Sequence, residues 1–133
     1  MGVLAEDNKQ LTLIYSSESS VGKQTLAYAN ASDKKLLSID ISKTKVTGTQ
    51  WAEIASKLGL KIGDLVDQEH PNYVKNFGDK GAILSSEDWI KILQNQPEVL
   101  KGCIVINGKK SLIITNPSDL VKHLGIEGED VKN

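Results

Sequence analysis

Few residues of this 133-residue chain are equipped for chemistry, and the clearest is Cys103, its single cysteine. A lone cysteine excludes an intramolecular disulfide, a Cys-x-x-Cys redox pair and a cysteine-rich zinc site. His70 and His123 are the only histidines, too few for a histidine-rich metal centre. All 16 basic residues are lysines. Arginine, whose planar fork grips phosphate, carboxylate and similar oxyanions through paired hydrogen bonds, is missing altogether. Oxyanion binding would therefore rest on lysine point charges and on backbone N–H groups.

Cys103 has two readings. As a redox thiol it can be glutathionylated or enter an intermolecular disulfide. As a small apolar residue at the start of a core strand it does no chemistry, which is the commoner role of a single cysteine. Lys101 is the one nearby base in the sequence that favours its thiolate. The run Ser19-Ser20-Val21-Gly22-Lys23 also reads in two ways. At a helix start it suits a small anion, with Ser19, Ser20, Gly22 and Lys23 as contacts and Lys101 as a further cation. The serines equally suit plain helix capping. Gly22-Lys23-Gln24-Thr25 fails as a P-loop, because Ser17 stands where glycine is needed and Gln24 where Ser or Thr must follow the lysine. Asp40 with Glu87 or Asp88 has the makings of an acid–base pair, but nothing in the sequence brings them together. Trp51, Tyr73, Phe77 and Trp89 lie among other apolar residues and read as packing rather than as a base-stacking platform.

The elements that must position these groups follow from the apolar pattern. Leu11–Tyr15 reads as a strand, Ser16–Ser20 as a polar loop and Val21–Asn30 as a helix. Leu36–Ile41 reads as a second strand, parallel to the first because the connection is a full crossover. Trp51, Ile54, Ala55 and Leu58 share one helical face, with Thr49 as N-cap and Gly59 as the stop. Short helices are expected at Ile62–Asp67 and after Pro71, then a capped helix from Ser85 and Ser86 to Pro97. Cys103–Ile106 and Leu112–Ile114 flank Asn107-Gly108-Lys109-Lys110, an antiparallel hairpin signal. Pro117-Ser118-Asp119 opens a last helix carrying Leu120, Val121 and Leu124, with Gly125 as its stop. The order β-α-β, helical block, β-β-α is an α/β fold of thioredoxin type. Its four-stranded mixed sheet carries a helical insertion between the halves. One domain is expected over residues 11–125, with tails at 1–10 and 126–133.

Composition agrees with an ordinary globular domain, at 39% hydrophobic and 25% charged residues. The net charge of −1 provides no field for nucleic acid or an anionic membrane. Met1–Asp7 has neither the basic nor the apolar region of a secretory signal, and no apolar run is long enough to span a bilayer. A cytoplasmic location is the expectation.

Over Leu11 to about Leu124 the sequence resembles the glutaredoxin-dependent arsenate reductases and their Spx-like relatives. The resemblance is carried by Leu13-Ile14-Tyr15, Lys23-Gln24-Thr25-Leu26, Leu65-Val66 and Pro71-Asn72-Tyr73. It continues through Pro97-Glu98-Val99-Leu100, Ile104-Val105-Ile106-Asn107-Gly108 and Pro117-Ser118-Asp119-Leu120-Val121. It implies a nucleophilic cysteine at the start of the first helix, where Ser19 stands, to within one position. Serine has no anionic form near neutral pH and cannot make a mixed disulfide with glutathione. The resemblance also implies three oxyanion-binding arginines, at positions held here by Asp67, Gly102 and Asn116. Asp67 would repel an oxyanion outright. The proline that the family places before its third strand, usually with a cis bond, corresponds to Cys103. A cis bond there would cost about 2.5–4 kcal/mol, so a trans bond is expected.

The resulting expectation is a family member without reductase chemistry, acting as a binding or regulatory module with no cofactor. A protein partner is suggested by the Spx-like relatives, which bind RNA polymerase. The alternative is a divergent oxidoreductase that uses Cys103 with glutathione or glutaredoxin. A small-anion binder at the Ser19 helix start is a third possibility.

Overall fold

The computed structural model describes residues 10–78, 83–108 and 110–124. The chain divides into two compact units, one from its two ends, up to Asp40 and from Gly102, and one from Ile41–Lys101.

The first unit is built on a four-stranded sheet of order β2-β1-β3-β4. Its strands are β1 (Gln10–Tyr15), β2 (Lys35–Asp40), β3 (Cys103–Asn107) and β4 (Lys110–Ile114). β1 runs parallel to β2, with Leu13 opposite Ser38. It runs antiparallel to β3, with Leu13 opposite Val105. The expected mixed sheet of thioredoxin type is therefore present. Burial explains why β1 and β3 read as unbroken apolar runs. Every residue from Leu11 to Tyr15 and from Cys103 to Asn107 is buried, as in central strands covered on both faces. The edge strands β2 and β4 keep exposed lysines at their starts.

One sheet face carries Leu11, Leu13, Tyr15, Cys103, Val105 and Ile114, packed with Ala29 of α1 (Ser20–Asn30) and Leu120 of α5 (residues 118–124). Two details depart from the sequence reading. β1 begins at Gln10, inside the expected tail, and Asn107 and Lys110 belong to the strands rather than to the loop, paired with each other. The connection is thus the two-residue Gly108–Lys109. Gly108 at φ 65° supplies the positive φ that a tight hairpin needs. The expected stop at Gly125 and the tail 126–133 lie outside the described residues.

The second unit holds α2 (Gly48–Leu58), α3 (Pro71–Phe77) and α4 (Ser86–Asn95), with 3₁₀ turns at Ile62–Leu65 and Pro97–Val99. The N-cap of α2 is Thr47 rather than the expected Thr49. Its Oγ1 accepts Gln50 N–H at 3.1 Å while Gln50 Oε1 accepts Thr47 N–H at 3.0 Å, a reciprocal capping box. Ser85 and Asp88 repeat the device on α4. Gly59 ends α2 in the left-handed conformation, as expected. Trp51, Ile54, Leu65, Tyr73, Trp89 and Leu93 are buried, so the aromatic residues singled out in the sequence are mostly core. The Tyr73 ring stacks on Trp89 with centroids 5.9 Å apart. Val66 and Leu100 form an antiparallel bridge, flanked by hydrogen bonds from Asp67 N–H to Val99 O and from Lys101 N–H to Leu65 O, both 2.7 Å.

Candidate functional site

The loop from β1 to α1 and the start of β3 meet at one end of the sheet. β1 and β3 are antiparallel with Ile14 opposite Ile104, so the end of β1 and Cys103 are neighbours. This is the place where the sequence puts both of its candidates, Ser19 and Cys103, and the structure brings the two elements together.

The loop is closed by its own hydrogen bonds. Ser19 Oγ accepts Gly22 N–H at 3.2 Å as the N-cap of α1, and Ser16 Oγ accepts Glu18 N–H at 3.2 Å. Ser19 N–H donates to Ser16 O at 3.1 Å and Lys23 N–H to Ser19 O at 2.9 Å. Ser17 N–H donates to Oδ1 of Asp40, at the end of β2, at 3.0 Å. Gly22 has a packing role. A Cβ there would stand 2.3 Å from Ser16 O, so only glycine lets α1 start this close to the loop. Of the anion-binding candidates, Ser20 and Lys23 are exposed, while Lys101 is exposed in the other unit.

Cys103 is fully buried, and its thiol donates to Ile114 O across the hairpin, Sγ to O 3.8 Å. Burial pushes the Cys103 pKa up, opposed by the neighbouring Thr25 hydroxyl, which favours the thiolate. Thr25 Oγ1 is itself buried and completes no hydrogen bond of ordinary geometry among the described residues, so its pull is the weaker effect. A neutral, buried thiol is a poor nucleophile. Every described peptide bond is trans, the one before Cys103 included.

The three positions at which the resemblance implies arginine are occupied by groups with structural work. Gly102 has φ 65°, and a Cβ on it would fall 2.1 Å from Ile114 O. No residue with a side chain fits there. Asn116 Oδ1 accepts both Ser118 N–H at 3.2 Å and Ser118 Oγ–H at 3.0 Å, holding the entry to α5. Asp67 lies in the helical unit, where its Oδ1 accepts Glu69 N–H at 3.0 Å.

Three residues, Asp40, Asp88 and Thr25, give no warning of their roles in the sequence. Asp40 reads there only as an acid–base partner of Glu87 or Asp88, whereas the structure has it anchor Ser17 and help burial raise the pKa of Tyr15. Asp88 serves the α4 cap, and its hydrogen bonds with Ser85 hold its carboxyl below the usual range. Thr25 gives no signal beyond its place on α1. The histidines are structural: His123 Nε2 lies 3.1 Å from Asn107 Nδ2, and His70 caps α3. Among the described residues no group of acidic, histidine and cysteine side chains is placed to hold a metal ion, and no helix is long and apolar enough to cross a membrane. A groove of about 470 Å³ opens in the helical unit, lined by Ala52, Ala55, Leu84 and Trp89 with Lys61 and Asp64 at its edge. Neither the Ser16–Lys23 loop nor Cys103 lines it.

The sheet order and the helical segment between β2 and β3 define an α/β protein of thioredoxin-like fold. Within that class the chain has the fold of arsenate reductase structures. It is similar to the arsenate reductase from Vibrio cholerae, at TM-score 0.71 and 16% identity, over 85% of this chain and 96% of that one. It is similar to an arsenate reductase (ArsC) related protein from Brucella melitensis, at TM-score 0.65 and 10% identity, over 86% and 94%. A possible arsenate reductase from Streptococcus mutans UA159 matches at TM-score 0.62 and 18% identity, over 78% and 88%. At these identities the likeness is one of fold. No family model and no curated protein matches the sequence.

Proposed function

We propose that this chain is an arsenate-reductase-type protein that has lost the reductase reaction and serves as a binding or regulatory module. The observation that carries this reading is the state of its one thiol. Cys103 is buried, hydrogen-bonded to Ile114 O and shifted toward the neutral form, while a serine that caps α1 stands where the family's nucleophile would be. Arsenate reduction through a thiol needs an accessible thiolate and groups that hold the oxyanion. Here the loop N–H groups of Ser17, Glu18, Ser19 and Gly22 already have internal acceptors. Gly102 is built into a turn that leaves no place for arginine, and the Asn116 side chain holds Ser118 instead. What the fold retains is a scaffold, and a protein partner is the ligand class this reading proposes for it.

The test is alkylation of the native protein across pH, together with an arsenate reduction assay supplied with glutathione and glutaredoxin. The expected result is labelling of Cys103 only at the rate of unfolding, with no reduction above background. Rapid labelling with a thiol pKa below about 8.5, or turnover abolished by Cys103→Ala, would establish the thiol oxidoreductase instead.

A further inference from the structure

We propose that the groove of the helical unit is where a second copy of this chain docks, in a two-fold pair that seats Ile83 of each copy in the groove of the other. The inference goes beyond the reading of Cys103 above and does not depend on it, since neither that residue nor the loop after β1 lines the groove. The groove holds about 470 Å³ and lies wholly within the unit Ile41–Lys101. Its apolar walls are already in place. Ala52 and Ala55 are short residues of α2 that leave room beside the helix. Trp89 lies against the backbone of Gly63, where an added Cβ would stand 2.8 Å from Trp89 Cε2, and its ring stacks on the buried Tyr73. A ring packed this closely does not swing out to fill the space beside it.

The margin of the groove carries the parts of a self-complementary contact. Leu60, which lines it, is 39% exposed, and Ile83, next to the lining residue Leu84 in the chain, is 79% exposed. Large apolar residues left in water beside an apolar groove mark an interaction face. The charges choose the occupant. Among the described residues that line the groove, Lys61 and Asp64 alone are charged, and both are exposed. They stand three positions apart at the 3₁₀ turn Ile62–Leu65, a spacing that sets side chains on the same side of such a turn. Asp64 Oδ2 accepts Lys61 N–H at 3.1 Å, which fixes the carboxylate beside the lysine. One cation and one anion give no net charge to draw an acidic or a basic partner. They do match a copy of themselves turned about a two-fold axis, where Lys61 of each copy meets Asp64 of the other. Such a contact repeats every interaction, so one projecting side chain and one groove on the same face provide two insertions.

The experiment is sedimentation velocity on the full chain over about 1–500 µM, a range that brackets weak and moderate self-association. A reversible monomer–dimer equilibrium is expected. Ile83→Ser changes an exposed side chain, so it should keep the parent's denaturation midpoint while raising the dimer Kd at least about tenfold. The charges are tested by complementation. Lys61→Glu leaves this margin wholly acidic and Asp64→Lys leaves it wholly basic, so each alone brings like charges together across the axis and should self-associate more weakly than the parent. An equimolar mixture of the two should dimerise more tightly than either alone. The mixture is read on variants whose far-UV circular dichroism matches the parent, and Ile83→Ser decides by itself if Asp64→Lys does not fold. A monomer at every concentration, an Ile83→Ser protein that associates as tightly as the parent, or a mixture of folded variants no tighter than its components would overturn the proposal.

Discussion

The backbone N–H of Ser17 points at the carboxylate of Asp40, 3.0 Å away and 23 residues later in the chain. An internal carboxylate thus occupies a loop N–H group that an external anion would otherwise meet. The negative charge that stabilises the β1–α1 connection also repels an incoming anion. Asp40→Ala should therefore destabilise the protein by about 1.5–3 kcal/mol, the range for a hydrogen bond to a charged group. Asp40→Asn keeps an acceptor and should lose less. The same substitution removes a charge that, after burial, raises the Tyr15 pKa, so that pKa should drop in Asp40→Asn. Denaturant melts and an absorbance titration of the tyrosines check the two effects separately.

Gly102 allows a sharper test of how tightly the turn before β3 is built. Its positive φ, and the 2.1 Å that would separate an added Cβ from Ile114 O, make any side chain costly. Gly102→Ala should cost more than about 3 kcal/mol, from backbone strain and steric overlap together. Gly102→Arg should fail to fold rather than restore an oxyanion clamp. A chemical denaturation midpoint within error of the parent for Gly102→Ala would contradict a turn that only glycine can make.

The fold is legible in the sequence because its signals are local. Central strands covered on both faces show as unbroken runs at Leu11–Tyr15 and Cys103–Ile106, and Gly108 marks the hairpin. Even the true α2 cap is readable, since Thr47 is followed three residues later by Gln50, the capping-box spacing that Thr49 lacks. The site is legible only as a set of positions. That Ser17 is held by Asp40, that Gly102 abuts Ile114 O and that Thr25 faces Cys103 are contacts made by residues far apart in sequence. Residue type at one position carries no trace of them. The helical insertion is legible as a block between the strands, but that it is a compact unit of its own is not, because no change of composition marks Asp40 or Gly102.

The buried thiol predicts a pH dependence with a definite sign. Its folded pKa is raised above the unfolded value of about 8.5, so the folded state holds the proton more tightly. The stability contributed by this group is complete below about pH 8.5 and is lost as pH rises through the folded value. Cys103→Ala should lower stability at pH 7 by about 1–2 kcal/mol through lost packing. The variant should then lose less than the parent between pH 7 and pH 10. Urea melts at both pH values decide it; an equal alkaline loss in both proteins would mean that Cys103 does not titrate with unfolding.

The proposed loss of reductase chemistry can be tested at the helix start that Ser19 caps, where it lies either in one residue or in the whole site. In a Cys103→Ala background, Ser19→Cys places a thiol at the N-terminus of an 11-residue helix. The helix dipole and the Gly22 N–H, which Ser19 Oγ now engages at 3.2 Å, both favour a thiolate there. This thiol should react with iodoacetamide at least tenfold faster than Cys103 does in the parent, with a pKa below about 8.5. Arsenate reduction should nevertheless stay at background. Asp40 still binds Ser17 N–H, Asn116 still holds Ser118, and no arginine is available to neutralise the oxyanion. Fast alkylation without turnover would locate the loss in the oxyanion-binding groups, whereas turnover would show that the serine alone had silenced the site.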